Sequence, residues 1–359
     1  MIPNPQALSR QSVAPVAAST EAVTPQKILE TGCAFWPSKV LLTAVELDVF
    51  TTLSRRSMSA AELQRALDLH PRGIFDFFDT LVALGFLERD GDGPLAKYSN
   101  TPATARYLDR SQPDYVGGML EMMNARLYRF WGHLTEALQT GLPQNESRHG
   151  EPDLFGVLYR DPARLEQFLA AMTGLSRPTA RAIATAFPWS EFKTFADIGC
   201  AQGGLTAEIA LAHPHLTGYG YDLPAVGPVF ERYVRQQELD QRLAFQPGDF
   251  FKDPLPSVDV LVMGHILHDW SLDEKMMLLR KAYDALPPGG ALIVYDTMID
   301  DERRQNVFGL LMSLNMLIET PAGFDYTGAD CRGWMQETGF RDVQIVPLQG
   351  PYAMAVGRK

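Results

Sequence analysis

One ten-residue segment constrains the fold of this chain more than any other: Phe195-Ala-Asp-Ile-Gly-Cys-Ala-Gln-Gly-Gly204. Its pattern is typical of a short buried strand that ends in a carboxylate and runs into a turn of small residues. Four acidic or small residues follow one another at intervals of two: Asp197, Gly199, Ala201 and Gly203. Because small residues let the backbone pass close to a ligand, this turn predicts a nucleotide-type site. Asp222 ends the next predicted strand, where an acidic partner for a ribose is expected in a doubly wound sheet.

From residue 194 onward, predicted strands alternate with helices, as in an α/β fold. The strands are predicted at Thr194–Ile198, Gly218–Tyr221, Leu243–Gln246, Val258–Met263, Ala291–Tyr295, Val343–Val346 and Tyr352–Val356. Only Pro347 to Pro351 join the last two strands, which is too short for a parallel crossover, so these strands must pair antiparallel. The sequence therefore predicts a doubly wound, mostly parallel seven-stranded sheet with one antiparallel strand.

The length of the chain predicts about two domains. It has 359 residues, whereas a typical domain has roughly 100 to 200. Residues 1–24 are rich in Pro, Ala, Ser and Gln without a helical or strand period, and are predicted to be a disordered tail. The remainder is divided into a winged-helix-like domain (25–110), a helical linker that also lines a pocket (111–185) and the sheet domain (186–359).

The predicted winged helix has the shape of a DNA-binding module but not its charge. Ser59-Ala-Ala-Glu62 is a capping box that opens one helix, Ile74 to Leu84 form a second, and Gly85 to Tyr98 read as a two-stranded wing. Between Gly73 and Leu87 there are two Asp residues and no Lys or Arg, where a DNA reader needs cations against phosphates. We therefore expect this domain to pack against another subunit rather than bind nucleic acid.

Overall charge and cysteine content narrow the class of partner. The formal net charge is −11, so attraction to nucleic acid or to an anionic membrane is not expected, and small ligands are favoured. Cys33, Cys200 and Cys331 lie far apart without paired spacing, which disfavours both a disulfide framework and a zinc ribbon. With no predicted leader or membrane span, the sequence indicates a reducing cytoplasm.

A histidine-rich segment follows the fourth predicted strand, in Val258-Asp-Val-Leu-Val-Met-Gly-His-Ile-Leu-His-Asp-Trp270. This arrangement brings His265, His268 and Asp269 to the carboxyl edge of the sheet, where open α/β folds bind their ligands. Ser271-Leu-Asp-Glu274 then caps the next helix, so His268 lies in a fixed connection rather than a free loop. An imidazole with a pKa near 6.5 can accept a proton at neutral pH.

These motifs together resemble the S-adenosylmethionine (SAM)-dependent O-methyltransferase family, which includes plant phenolic methyltransferases, acetylserotonin methyltransferase and bacterial antibiotic-tailoring enzymes. The resemblance rests on Asp197 to Gly203, Asp222, Asp249 and His268-Asp-Trp-Ser271, and spans the chain from about residue 25. It implies that SAM is the cofactor and that the N-terminal domain mediates a homodimer. It further implies that the methyl acceptor is the hydroxyl of a small, partly aromatic secondary metabolite, with His268 as the general base.

The resemblance also implies a set of cofactor contacts. Gly199 would back the methionine portion, Asp222 would hold the ribose hydroxyls, and Asp249 with Phe250 would flank the adenine. The remaining predicted cofactor-binding residues are Ser176, Asp197, Leu223, Gly248 and Gly264. Gly264 stands where plant relatives carry a Lys that contacts the cofactor, so that contact must be absent or replaced here.

The catalytic and acceptor-binding residues follow by the same resemblance. Asp296 and Asp325 match the carboxylates beside the base, where Glu is more usual, so their reach to the imidazole is shorter. Phe168, Met172 and Ser176 are spaced by four and share one helical face, which matches a helix that touches both cofactor and acceptor. The predicted acceptor-binding residues are Trp131, Phe168, Met172, His265, Asp269, Asn315, Met316 and Trp334.

Several alternatives remain open at this stage. The acceptor could be a thiol or thioether, or the carbon of a 2-oxo acid, and the protein could be a catalytically silent SAM-binding regulator. No metal is predicted. If the chain did bind one, the candidate ligands would be His265, His268, Asp269 and Glu319. A nicotinamide oxidoreductase is disfavoured because the turn lacks the Gly-x-Gly-x-x-Gly spacing of a dinucleotide loop.

Overall fold

Seven strands form one sheet in the C-terminal half of the protein. The computed structural model describes residues 23–149 and 162–359, so the predicted tail lies outside the described residues except for its last two positions. The strands are β4 (Thr194–Ile198), β5 (Thr217–Asp222), β6 (Leu243–Pro247), β7 (Val260–Gly264), β8 (Ala291–Asp296), β9 (Arg341–Pro347) and β10 (Ala353–Arg358). Their order is β6-β5-β4-β7-β8-β10-β9, and β10 runs antiparallel to both of its neighbours. The predicted fold class is confirmed.

Strand β7 begins two residues later than its apolar pattern predicts. Asp259 is engaged with the segment before β4 instead of extending the strand. Its carboxylate accepts hydrogen bonds from the backbone N–H groups of Lys193 and Thr194, and its own N–H donates to the Thr194 hydroxyl. These three hydrogen bonds fix the amino end of the two central strands to each other.

The sheet is covered on both faces, which explains why its central strands are apolar throughout. Along β7, Val260 and Val262 belong to the core on one face, whereas Leu261 and Met263 belong to the core on the other. Strand β8 alternates in the same way. Because both faces are packed, the carboxyl ends of these strands are held in fixed positions.

The N-terminal domain contains the predicted helix–turn–helix and wing. Its helices are α1 (Gln26–Cys33), α2 (Phe35–Glu46), α3 (Val49–Leu53), α4 (Ala60–Ala66), α5 (Ile74–Ala83) and α6 (Pro102–Tyr107). The capping box is present, since the Ser59 hydroxyl accepts from the N–H of Glu62 while the Glu62 carboxylate accepts from the N–H of Ser59. The wing strands are β2 (Leu87–Asp90) and β3 (Lys97–Asn100). A two-residue strand, β1 (Met58–Ser59), pairs with β3 and was not predicted.

The remaining helices connect the two domains and flank the large sheet. They are α7 (Gly117–Met122), α8 (Tyr128–Trp131), α9 (Leu134–Thr140), α10 (Pro162–Ala186), α11 (Gly204–Ala212), α12 (Gly227–Gln236), α13 (Leu272–Ala285), α14 (Val307–Glu319) and α15 (Gly328–Glu337). A π-helical turn, Met123–Leu127, lies between α7 and α8. Among the helices of the described part of the chain, none is long and apolar enough to cross a lipid bilayer.

Substitution of Gly220 tests how tightly α12 packs on the sheet. A Cβ at Gly220 in β5 would lie 2.2 Å from the Phe230 ring and 2.7 Å from the Cys200 sulfur. We expect Gly220→Ala to lower the free energy of unfolding by about 1–3 kcal/mol through overpacking, measured by urea denaturation.

Gly333→Ala is the matched control for this prediction. Gly333 is exposed in α15, and a Cβ there would meet no atom of the described chain within 4 Å. This change is expected to raise stability by about 0.5–1 kcal/mol through helix propensity. If both variants are as stable as or more stable than the wild type, the close packing of α12 on β5 is wrong.

Candidate active site

A cavity of about 1210 Å³ opens at the carboxyl edge of the large sheet. It exceeds the roughly 300–1,000 Å³ of an ordinary small-molecule pocket, so it has room for a cofactor and a second small molecule. The ends of β4, β5 and β7 form its floor, while α2, α7, α8, α10 and α14 form its walls. The cavity therefore lies between the sheet and helices that come from both the N-terminal and the C-terminal parts of the chain.

Two acidic side chains stand at the ends of β4 and β5. Asp197 is buried, and its Oδ2 accepts a hydrogen bond from the Thr206 hydroxyl at 3.0 Å. Burial raises the pKa of Asp197 to about 7, and the charge of Asp222 adds to this effect. Asp222 accepts hydrogen bonds from the N–H groups of Ala201 and Leu223, at 3.0 and 2.7 Å. Asp222 thereby fastens the small-residue turn to the end of the neighbouring strand.

The turn after β4 can be made only by small residues. Gly199 has a φ of +72°, in the region that favours glycine, and a Cβ there would lie 2.3 Å from the Ile266 side chain. The N–H groups of Gly199 and Cys200 both point to the carbonyl of Tyr221. Ile266 fills the space where a side chain at position 199 would stand, so the turn reaches the cavity floor with bare backbone at Gly199.

Gly264, at the end of β7, lies beside Tyr295 of β8. The two residues are register partners, and a Cβ at Gly264 would lie 2.0 Å from the Tyr295 ring. Both line the cavity. The space beside position 264 is therefore filled by the Tyr295 ring, which explains why this chain has a glycine where a longer side chain occurs in plant relatives.

His268 is held between three carboxylates. It lies in a 3-10 turn, Leu267–Asp269, just before the capping box formed by Ser271 at the start of α13. Its Nδ1 is 3.2 Å from Oδ1 of Asp325 and 3.6 Å from Oδ1 of Asp296, while its Nε2 is 3.6 Å from Oδ1 of Asp269. Burial alone would lower the pKa of His268, but the charges of Asp296 and Asp269 and the hydrogen bond to Asp325 raise it to about 10.

Asp296 and Asp325 stand behind the imidazole and away from the cavity wall. Of the described residues that line the cavity, neither is one, and both carboxylates are almost fully buried. Asp296 Oδ2 accepts a hydrogen bond from the Tyr326 hydroxyl at 2.6 Å, and Asp325 Oδ1 accepts one from the Thr297 hydroxyl at 3.3 Å. Nδ1 is therefore the nitrogen that these two carboxylates orient, while Nε2 faces Asp269, which lines the cavity.

A second imidazole, that of His265, faces the same carboxylate. Its Nδ1 is 3.5 Å from Asp296 Oδ1, and its ring packs edge-on against Tyr295 and Tyr352. The ligand atoms of His265, His268 and Asp296 all lie within 4.8 Å of one another. This set differs from the one considered from sequence, because Asp296 takes the place of Asp269 and Glu319. Asp296 thus lies between the two histidine rings.

Helices α8, α10 and α14 form the far wall of the cavity. The Trp131 indole N–H donates to Asn315 Oδ1 at 2.9 Å, which joins α8 to α14. Phe168, Met172 and Met316 line the same wall, as do several other Met and Leu side chains. This half of the cavity is largely apolar, which suits a flat aromatic molecule.

Comparison with known proteins identifies the family. The family model of the O-methyltransferase domain matches residues 131–341, and that of the O-methyltransferase dimerisation domain matches residues 29–110. The chain is 43% identical to the tetracenomycin polyketide synthesis 8-O-methyltransferase TcmO of Streptomyces glaucescens, covering 93% of this chain and 97% of that protein. It is 37% identical to the N,N-dimethyltransferase OxyT of Streptomyces rimosus, covering 88% and 90%.

The fold agrees with this result. A crystal structure of human N-acetylserotonin methyltransferase in complex with SAM superposes with a TM-score of 0.87 at 31% identity, covering 95% of this chain and 99% of that one. The chain belongs to the SAM-dependent O-methyltransferase family. It is a methyltransferase, its cofactor is SAM, and its N-terminal domain is the dimerisation domain of the family.

The structure brings nearly all the site residues that were predicted for this methyltransferase to the cavity. The cofactor-binding candidates that line it are Ser176, Asp197, Gly199, Asp222, Leu223, Gly248, Asp249, Phe250 and Gly264. The acceptor-binding candidates that line it are Trp131, Phe168, Met172, His265, Asp269, Asn315 and Met316. Their assigned roles remain predictions.

Among the acceptor-binding candidates Trp334 is the exception, and its prediction as a pocket residue needs correction. It does not line the cavity within the described chain. Its ring packs edge-on against Tyr326 and Phe324, with centroids 5.0 and 6.3 Å away. The reason is that α15 lies on the far side of Tyr326, so Trp334 supports the residues behind His268 instead of meeting a ligand.

Lys275 is a site residue that the sequence reasoning missed. It is fully buried in α13, where its Nζ donates to the carbonyl of Trp270 and lies 3.5 Å from the centroid of the Phe324 ring. Burial lowers the pKa of Lys275 to about 8, against the opposing charges of Asp296 and Asp325. The signal was present in the sequence, since Lys275 falls on the apolar stripe of α13 with Leu278, Leu279 and Ala282.

The raised pKa of His268 predicts how stability depends on pH. The folded state binds the imidazolium proton more tightly than the unfolded chain, whose histidine pKa is near 6.5. The resulting stabilisation is complete below pH 6.5 and is lost as pH rises through about 10. We therefore expect the stability advantage of the wild type over His268→Gln, on the order of a few kcal/mol at pH 6, to shrink steadily by pH 10.

Thermal unfolding of both proteins at successive pH values measures this advantage. His70→Gln, at an exposed position, is the control and should differ from the wild type by a constant amount. If the His268→Gln difference is equally constant, the imidazole does not carry the bound proton.

Proposed function

We propose that this enzyme transfers the methyl group of SAM to the hydroxyl of a small aromatic molecule, and that Nε2 of His268 takes the hydroxyl proton. One observation carries the proposal: a buried imidazole at the cavity wall has Nδ1 turned to Asp325 and Asp296, which leaves Nε2, beside the cavity-lining Asp269, as the nitrogen that can take the proton. The names of the O-methyltransferase relatives, which act on a polyketide and on acetylserotonin, support an aromatic hydroxyl acceptor.

The floor of the cavity fits the cofactor. When bound, SAM supplies an electrophilic methyl group carried by a positively charged sulfonium. Asp222 places negative charge at the cavity floor, and Gly199 brings the backbone to the same floor without a side chain of its own. Asp222 is held at the end of β5 by the N–H groups of Ala201 and Leu223, and its carboxylate at the cavity suits the ribose hydroxyls. Phe250, edge-on to Phe251 and Trp270, offers a flat apolar surface for the adenine.

The acid–base properties of His268 suit a phenolic acceptor. A phenol has a pKa near 10, and the pKa of His268 is raised to about 10, so proton transfer between them is close to balanced. At neutral pH the imidazole of the cofactor-free protein is largely protonated. A positive charge placed in the cavity disfavours the imidazolium, so the neutral base is more abundant in the complex than in the free enzyme.

The N-terminal domain supports the assembly proposed for the enzyme. We infer a homodimer through the winged helix, because several large apolar side chains of the first two helices are exposed: Ile28, Leu29, Phe35 and Trp36. All three cysteines are free thiols, which supports a reducing cytoplasm as the place of action. The relatives that modify polyketides support a role in secondary metabolism.

Replacing the base tests the proposal. We expect His268→Ala to lower kcat for a phenolic acceptor by about 10²–10⁴-fold while SAM affinity, measured by calorimetry, stays within a few-fold of the wild type. The exposed His70→Ala variant is the control. Near-normal turnover by His268→Ala would exclude this residue as the base.

The same variant separates the kinds of acceptor. A thiol deprotonates near pKa 8.5 and a thioether carries no proton, so methylation of sulfur should depend far less on His268. A panel of phenols, amines, thiols and 2-oxo acids with labelled SAM shows which acceptor the wild type methylates. If only sulfur or carbon is methylated, the O-methylation proposal fails.

The carboxylates behind His268 predict a characteristic pH profile. Because only the neutral imidazole accepts a proton, kcat/KM for the acceptor at saturating SAM should rise with pH between about 6 and 9. Asp296→Asn removes a charge that raises the pKa of His268, so its rising limb should move to lower pH by about one unit or more. Asp273→Asn, exposed at the start of α13, should keep the wild-type profile. An unshifted limb in Asp296→Asn would mean that another group controls the rate.

A further inference from the structure

The apolar wall of the cavity contains one ion-paired cluster, made by Arg126, Glu146 and Glu319. Arg126 lies in the π-helical turn between α7 and α8, and Glu319 ends α14. The Arg126 guanidinium donates from Nε and Nη2 to the two oxygens of Glu146, both at 2.7 Å, and from Nη2 to Oε2 of Glu319 at 3.0 Å. Arg126 and Glu319 line the cavity, whereas Glu146 is not among the described lining residues.

One oxygen of this cluster lacks a partner. Glu319 is 7% exposed, and its Oε1 is buried without a hydrogen-bond partner among the described residues. Burial raises the pKa of Glu319, while the charge of Arg126 opposes this. A buried carboxylate oxygen without a donor is unfavourable, because it loses the hydrogen bonds that water gives it when it is exposed. A donor supplied by a ligand in the cavity would remove this cost.

Hydrogen bonds to backbone carbonyls hold the end of α14, which carries Glu319, against the segment at residues 144 and 145. Asn145 donates from its side chain to the carbonyl of Glu319, and the N–H of Gln144 donates to the carbonyl of Ile318. A few residues further on, Gly323 packs so closely that a Cβ there would lie 2.6 Å from the carbonyl oxygen of His268. Glu319 is thus positioned on the wall that continues from the catalytic histidine.

The charge of the cluster selects the kind of ligand. Two carboxylates face one guanidinium, so an added anion such as a carboxylate would meet net negative charge. A neutral hydrogen-bond donor suits Oε1 without this repulsion. The proposed reaction already uses one hydroxyl of the acceptor, at His268. A second hydroxyl on the same aromatic molecule can then donate to Glu319.

We propose that Glu319 accepts a hydrogen bond from a second hydroxyl of the methyl acceptor, so that the enzyme selects polyhydroxylated aromatic molecules over those with one hydroxyl. Glu319 is then a specificity-determining residue, and Arg126 positions its carboxylate. The inference rests on the proposed function, because it assumes that the acceptor binds in this half of the cavity. A site built to bind a hydroxyl discriminates strongly against analogues that lack it.

The test compares one-, two- and three-ring phenols in matched pairs, for example 2,7-dihydroxynaphthalene against 7-methoxy-2-naphthol. Each pair keeps the oxygen and replaces its hydrogen with a methyl group, so that the oxygen can no longer donate a hydrogen bond. With labelled SAM, the wild type is expected to show at least a tenfold higher kcat/KM for the free diol. Glu319→Leu should reduce this preference to about twofold, the statistical factor for two equivalent hydroxyls, and Glu319→Gln, which keeps an acceptor oxygen, should retain part of it.

Glu146→Gln is the matched control, because it removes the other carboxylate bound to Arg126 without changing the described cavity lining. It should keep the wild-type preference. Calorimetry with SAM and thermal unfolding establish that each variant is folded. If the wild type methylates both members of every pair equally, or if Glu319→Leu keeps the preference, the role of Glu319 is wrong while the proposed function stands. If the wild type methylates no hydroxyl in the panel, the proposed function fails and this inference fails with it.

Discussion

The contact between the His268 imidazole and the carboxylates of Asp325 and Asp296 is the interaction on which the rest of the site depends. Charges this deeply buried are tolerated only when they balance one another. Asp296 faces both His265 and His268, while buried Lys275 adds a further positive charge nearby. Removing one partner would leave the others uncompensated, at a cost of about 3–5 kcal/mol for a buried pair. The short Asp side chains reach Nδ1 at 3.2 and 3.6 Å, so glutamates are not needed at these positions.

The sheet holds His268 and its carboxylates together because it fixes the backbone positions from which these side chains extend. Asp296 ends β8, and the turn that carries His268 follows β7, two neighbouring strands that are packed on both faces. A strand held in this way cannot slide, so the carboxylate and the imidazole keep their separation without a flexible loop between them. Gly264 and Tyr295 show the same constraint, because the Tyr295 ring occupies the space that a side chain at position 264 would need.

The parts of this arrangement that depend on local sequence could be predicted, and the parts that depend on distant contacts could not. The strands, the turn after β4 and the position of His268 follow from apolar runs, small residues and a capping box. Strand β1 was missed because two residues carry no period, and Trp334 was misplaced because its helix gives no information about which side of Tyr326 it covers. Lys275 was recognisable as a charge on an apolar helical stripe, but its neighbours Asp296 and Phe324 come from other elements. The contact between Arg126 and Glu319 joins residues 193 positions apart, which no local pattern reveals.

The two halves of the cavity differ in how their residues are held, and this difference bears on specificity. The cofactor half is built from strand ends and backbone hydrogen bonds, so its geometry changes little when a side chain is replaced. The acceptor half is built from side chains on separate helices that meet through single contacts, such as Trp131 with Asn315 and Arg126 with Glu319. Substitutions there can alter which molecule fits without disturbing the sheet or His268. Differences among these helix side chains can therefore change the acceptor that fits while the cofactor half of the cavity stays the same.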